Sequence, residues 1–134
     1  MTKVFILINH EPTQRQISEL KRNYGEDAQF VFPPESIKNF WAQIPPKPVL
    51  DYAEMNKIIE WLACANSGDV VFVQGDFGAT FFIADYALKK KLVPIYAVTK
   101  RITTEKKDGE KVYKQFVFEH ECFRKYIALE TPNL

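Results

Sequence analysis

The sequence predicts an α/β fold: a mostly parallel sheet with helices on both faces, closed by a C-terminal β-hairpin. Three observations carry this expectation. Short apolar runs, KVFILIN at 3–9, DVVFVQ at 69–74 and VPIYAV at 93–98, read as strands covered on both sides. Segments with helical apolar spacing separate them, and such alternation builds a parallel sheet through right-handed crossovers. After Thr99 the pattern changes to two-residue alternation around Asp108-Gly109, a strong hairpin signal.

Each element has its own justification. The first strand, 3–9, passes into a loop in which Pro12 bars an early helix and Thr13 is a good N-cap. A helix over 14–24 then places Ile17, Leu20 and Tyr24 on one face, and Gly25 ends it. AQFVF at 28–32 reads as the second strand, followed by a short helix over 35–43 carrying Ile37, Phe40 and Trp41. IPPKPVL at 44–50 is a stiff extended crossing, not a domain linker, because apolar patterning resumes at once. A helix over 51–65 follows, striped by Met55, Ile58, Ile59, Leu62 and Ala65 and stopped by Ser67-Gly68. The strand at 69–74, a helix over 78–90 and the strand at 93–98 complete the alternation. In the hairpin, Ile102 and Thr104 on one arm and Val112, Phe116 and Phe118 on the other alternate with charged residues, which predicts one wet face. His120–Tyr126 either extends the second arm or wraps the sheet edge. Trp41, Trp61, Phe81 and Phe82 are expected in the core.

A chain of 134 residues with 46% hydrophobic and 14% aromatic residues is expected to form one packed domain, 1–134, not a disordered segment. No run is long enough to span a bilayer, and the opening MTKVFILINH resembles no signal peptide. Cys64 and Cys122 are too few for a disulfide scaffold and lack metal-site spacing. Both are expected reduced, in or near the core, in a cytoplasmic protein without membrane attachment. The net charge of +1 hides an asymmetry. Residues 1–88 hold seven basic against eleven acidic side chains, whereas 89–125 hold eleven basic against five acidic. Such a basic segment hints at an anionic ligand met in one place, though from charge alone a solvated lysine-rich surface is the favoured reading.

Ligands of open parallel sheets bind beyond the carboxyl ends of the strands, where the strand order reverses. Those ends carry Asn9-His10-Glu11, Gln74-Gly75-Asp76 and Thr99-Lys100-Arg101. This rim suits a nucleotide or phosphodiester better than an apolar metabolite. Gly75 and Gly78 are expected to allow backbone angles and close approach closed to other residues, freeing helix N–H groups for an anion beside Thr80. A glycine turn capped by Asp76 explains the same residues without a ligand. His10 is a candidate general acid or base, or a histidine that bonds nearby backbone. His120, between Glu119 and Glu121, ranks below it as a surface or edge residue. Neither a Walker loop nor a GxGxxG fingerprint is present, no Ser–His–Asp order is compelling, and no metal-ligand spacing is visible.

Five motifs in order, NHEPT at 9–13, IPP at 44–46, GDVVFVQGDFGAT at 68–80, PIYAVTKR at 94–101 and FEHECFRKY at 118–126, resemble a small stand-alone CRISPR-associated accessory family of type III systems. The resemblance implies a Rossmann-like fold related to CARF sensor domains. It also implies a ring nuclease: a homodimer that opens cyclic oligoadenylate, most plausibly cyclic tetra-adenylate, without a metal or other cofactor. In that chemistry the ribose 2′-hydroxyl attacks its own neighbouring phosphorus. On this reading His10 moves a proton, and Lys100 and Arg101 meet the charge growing on phosphorus. Asn9, Gln74 and Asp76 contact ribose or adenine, and Gly75, Gly78 and Thr80 cradle phosphate. Ala79, Thr99 and Arg124 complete the ligand-binding set; duplex DNA is not an expected partner. A non-cleaving cyclic oligoadenylate binder of the same fold, and an unrelated nucleotide or metabolite binder, remain as alternatives.

Overall fold

In a computed structural model, which describes residues 1–129, the chain folds as an α/β structure with a five-stranded mixed sheet and four helices. The elements are β1 (Lys3–Leu7), α1 (Gln14–Tyr24), β2 (Gln29–Val31), α2 (Glu35–Ala42), α3 (Tyr52–Leu62), β3 (Val70–Val73), α4 (Phe77–Lys89), β4 (Val93–Asp108) and β5 (Lys111–Lys125). The sheet order is β2-β1-β3-β4-β5. The first three pairings are parallel and the last is antiparallel.

The expectation of a mostly parallel sheet is therefore corrected. Parallel pairing covers ten register positions, whereas the β4–β5 ladder alone covers fourteen. The physical reason is that the fourth strand does not stop at Val98. β4 runs unbroken from Val93 to Asp108, and the first hairpin arm is its continuation. His120–Lys125 extends the second arm and pairs it back onto the sheet.

Alternation assigns the two sheet faces. Val4, Ile6, Val70, Phe72 and Ile95 meet Leu20 of α1 on one side. On the other, Phe5, Leu7, Val71 and Val73 meet Trp41, Met55, Ile58, Leu62 and Ile83 from α2, α3 and α4. Every residue of β3 is fully buried, which accounts for its unbroken apolar sequence. Each large side chain removed from water here contributes about 1.5–3 kcal/mol. The local signals of α1 are realised: Thr13 and Gln16 form a capping box, and Gly25 closes the helix at φ 113°.

Two core assignments change. α4 buries Ala79, Ile83 and Ala87, so Phe81, on the opposite flank, is 73% exposed. Cys64 and Cys122 are free and exposed, not in the core. Cys122 stands opposite Val98 on the antiparallel edge strand, and Cys64 follows the end of α3. Among the described residues, no helix is long and apolar enough to cross a membrane.

Tyr126 locks the end of β5 onto the body. Its hydroxyl donates to the Val73 carbonyl (2.7 Å), and burial, then the neighbouring Tyr96, push its pKa from 10.0 to about 12. Below 10.0 the phenol is neutral in both folded and unfolded chains; between 10.0 and about 12 only the unfolded chain releases the proton. Stability is therefore expected to fall as pH rises through that window, and Tyr126→Phe should remove this component of the fall. Denaturant melts across alkaline pH, with absorbance titration of the phenols, check it; parallel curves for the two proteins would contradict the assignment.

Candidate functional site at the carboxyl rim

From β1 the chain first moves to one side of the sheet and then, from β2, crosses back over β1 to the other. The α1 connection leads to β2 on one side, and the α2–α3 connection leads across to β3 on the other. The strand order thus reverses between β1 and β3, with the connecting helices on opposite sheet faces, as crossovers of one hand require. The crevice beyond these two strand ends is the position at which such sheets bind ligands.

Register sets the residues around it. Leu7 pairs with Val73 and Phe72 with Ile95, so Ile8, Gln74 and Ala97 stand level, followed by Asn9, Gly75 and Val98. Neighbouring strands lie about 4.8 Å apart, which puts the three chain exits within roughly 10 Å. Asn9, His10, Asp76, Thr99 and Lys100 are all exposed beyond that line.

Gln74 is occupied by structure. Its N–H donates to the Leu7 carbonyl (3.2 Å), its carbonyl accepts from Trp41 Nε1 (3.1 Å), and its Oε1 accepts from the Ala97 N–H (2.8 Å). Among the described residues its side-chain amide nitrogen has no partner and is the donor left for a ligand. Gly75 has no positive φ; a Cβ there would lie 2.8 Å from Trp41 Nε1, so close packing requires the glycine, not an unusual backbone angle. Gly78 also lacks a positive φ, and its nearest neighbour beyond the local backbone is Leu50 at an ordinary 3.5 Å. The expectation that both glycines supply special backbone angles is thus corrected.

The α4 N-terminus is capped from within. Asp76 Oδ2 accepts from the Ala79 N–H (3.0 Å), so that amide is already used and an acidic group sits where an anion would approach. The N–H groups of Phe77 and Gly78 precede the first intrahelical bonds of the helix. Asp76 is better suited to a ribose hydroxyl than to phosphate. Thr80 Oγ1 is buried without a hydrogen-bond partner among the described residues. Thr80 also lines an apolar groove of about 880 Å³ bounded by Gly75, Phe77, Phe81, Tyr96 and Tyr126.

His10 lies on the other flank of the rim. It lines a cavity of about 190 Å³ with Ile8, Phe32 and Lys38, and its Nδ1 lies 2.8 Å from the Glu11 carbonyl. An exposed Lys38–Glu11 ion pair (3.4 Å) borders that cavity. The structure therefore ranges His10, Gln74, Asp76 and Lys100 along one edge without gathering them in one cavity. Lys100 and Arg101 are consecutive in β4 and project to opposite faces, so one protomer cannot present both to one phosphate. Arg101 lies over the Phe116 ring, 4.6 Å from its centroid. Arg124 Nη1 donates to the Tyr96 hydroxyl (3.1 Å) at the groove edge.

His120 departs from the sequence expectation. It is 8% exposed, and its Nε2 lies 2.8 Å from Glu19 Oε2 of α1. A bulge explains this: Val98 pairs with Cys122 but Thr99 pairs with His120, so Glu121 is the extra residue. Without it, His120 would point to the opposite face. Among the described residues, no group of three or more His, Cys, Asp or Glu is arranged to hold a metal.

A family model described as "Uncharacterized protein MJ1673 family" matches residues 2–124, a span that includes the whole rim and the hairpin. The Methanocaldococcus jannaschii protein "Uncharacterized protein MJ1673" is 36% identical over 136 aligned residues, covering 94% of this chain and 98% of that protein. No solved structure matches the chain.

The two glycines should respond oppositely to added methyl groups. Gly75→Ala must displace the buried Trp41 indole and is expected to cost about 1–3 kcal/mol. Gly78→Ala, in the first turn of α4 with room for a Cβ, should be neutral or stabilise by up to about 1 kcal/mol. Urea unfolding of both variants checks this, and equal effects would refute the packing account.

Proposed function

The chain belongs to the MJ1673 family; from the residues on its carboxyl rim and the motif resemblance, we propose that it is a CARF-like, Rossmann-like ring nuclease acting on cyclic oligoadenylate, with cyclic tetra-adenylate its first candidate. The observation that supports the reading is the reversal of strand order between β1 and β3, which ranges His10 on one flank of the carboxyl rim and Asp76, Thr99 and Lys100 on the other.

The reaction needs no protein nucleophile. The ribose 2′ oxygen forms a bond to the adjacent phosphorus as the bond to the 5′ oxygen breaks. The products are a 2′,3′-cyclic phosphate and a 5′-hydroxyl; one proton leaves the 2′-hydroxyl and one reaches the 5′ oxygen. His10 supplies the imidazole on this rim and is assigned the proton transfer. Lys100 offsets the charge that develops on the phosphoryl oxygens. Asn9, the Gln74 amide nitrogen and Asp76 are suited to ribose hydroxyls and adenine edges. Holding the 2′ oxygen in line with the leaving oxygen supplies a large share of the acceleration.

Two copies complete the site. A ring of repeating adenylates has rotational symmetry, which a two-fold assembly of identical rims matches. Phe77 and Phe81, 95% and 73% exposed beside the Gly75 turn, offer an apolar surface for that assembly. In such a dimer Lys100 of one protomer and Arg101 of its partner can address one ligand, although they diverge within a single chain.

Incubation of the dimer with cyclic tetra-adenylate in excess EDTA, followed by chromatography, is expected to yield linear products ending in a cyclic phosphate. Intact ring that nonetheless stabilises the protein would identify a binder instead of a nuclease. His10→Ala should slow single-turnover cleavage by roughly 10²–10⁴-fold with little change in affinity. An unaltered rate would remove His10 from proton transfer.

A further inference from the structure

The long hairpin is not needed to close the sheet. Among the described residues, β4 pairs with β3 through Val93–Ile95, and from Thr99 to Asp108 its one strand partner is β5. These ten residues project as a two-stranded ribbon roughly 33 Å long. A free ribbon is marginal in water and does not ordinarily carry uncovered aromatic rings. Here Phe116 and Phe118 are 51% and 67% exposed.

Register shows what accompanies the rings. Arg101 faces Phe118, Thr103 faces Phe116, Glu105 faces Lys114 and Lys107 faces Val112, and directly opposed residues share a ribbon face. One face therefore presents two aromatic rings together with Arg101, Lys107 and Lys114, and with Glu105 and Val112 among them. Ile102 and Val117 share the other face, which corrects the expectation that all the apolar hairpin residues lie together. Between Lys100 and Phe118 there are six basic residues against three acidic ones.

We propose that the Phe116–Phe118 face of this ribbon binds single-stranded nucleic acid, a function separate from ring cleavage and independent of it. Rings two residues apart on one strand lie about 7 Å apart, a spacing that lets neighbouring splayed bases each stack on one ring. Arg101 lies over the Phe116 ring, 4.6 Å from its centroid, and offers its outer plane to a base, while the flexible Lys114 and Lys107 side chains toward the ribbon tip meet the phosphates. A second protein copy is the weaker occupant, because lysine is depleted from the buried centres of protein interfaces. A duplex keeps its base faces stacked internally and cannot use exposed rings in this way.

Fluorescence anisotropy with labelled oligouridylate and oligodeoxythymidylate of roughly 20 nucleotides, and with a duplex of equal length, tests this at about 50 mM salt. Binding of either single strand at least about tenfold tighter than the duplex is expected, and preference between the two identifies RNA or DNA as the source. Phe116→Leu with Phe118→Leu keeps apolar volume but removes the ring faces, and should weaken binding about tenfold or more with an unchanged melting midpoint. Lys107→Ala and Lys114→Ala should each flatten the logarithmic salt dependence by about 0.7. Absence of binding, equal binding of duplex, or wild-type affinity in the double leucine variant would overturn the proposal. So would loss of self-association in that variant with nucleic-acid affinity unaltered, which would assign the ribbon to a second copy.

Discussion

Everything at the rim depends on how the end of β3 is satisfied. The strand is wholly buried, so the polar groups of the residue that leaves it must find partners inside the protein. Gln74 meets that demand with three bonds: to Leu7 of β1, to Trp41 of α2 and to Ala97 of β4. One residue thereby fixes three neighbouring elements at the level where the chain turns toward α4. The Tyr126 hydroxyl on the Val73 carbonyl adds the end of β5 to the same junction. Trp41 can donate to Gln74 only because Gly75 leaves space for its indole, so the turn sequence follows from packing before any ligand is considered.

This junction separates the packed body from the exposed rim and ribbon. Behind it, one helix covers one sheet face and three cover the other. Beyond it lie chemically different neighbours: a histidine cavity, an acid-capped helix start, an apolar groove and a cationic ribbon base. Apolar exposure is concentrated there, at Phe77 and Phe81 and again along the hairpin. Isolated exposed apolar residues need no explanation, but clustered ones bordering a cleft mark surfaces that meet something.

Much of the fold was legible because its signals are local. The Thr13 cap, the Gly25 stop, the buried β3 run and the Asp108-Gly109 turn each act through neighbouring residues. What was not legible depends on register. The sequence changes character after Thr99, yet the backbone does not: sheet strand and hairpin arm are one strand, distinguished only by β3 ending beside it. The single extra residue Glu121 rotates His120 onto the α1 face, where it meets Glu19, and no periodicity announces such a bulge. Phe81 shares helical spacing with buried neighbours but falls on the wrong flank of α4. At the rim, the strand ends read from the sequence do lie level at one edge of the sheet, but their structural bonds were not legible. Gln74, Gly75 and Asp76 are chiefly held by structural bonds and packing, whereas Asn9, His10 and Lys100 stand exposed.

The central claim is that a cyclic oligoadenylate seats across the β1–β3 switch point and reaches the base of β4. Backbone amide chemical-shift mapping during titration with cyclic tetra-adenylate tests it residue by residue. Shifts concentrated at residues 9–11, 74–78 and 99–101, with the β2 edge and the C-terminal half of α4 quiet, are the predicted result. Shifts confined to the hairpin tip or the far end of the α4 groove, with residues 9–11 unmoved, would contradict it.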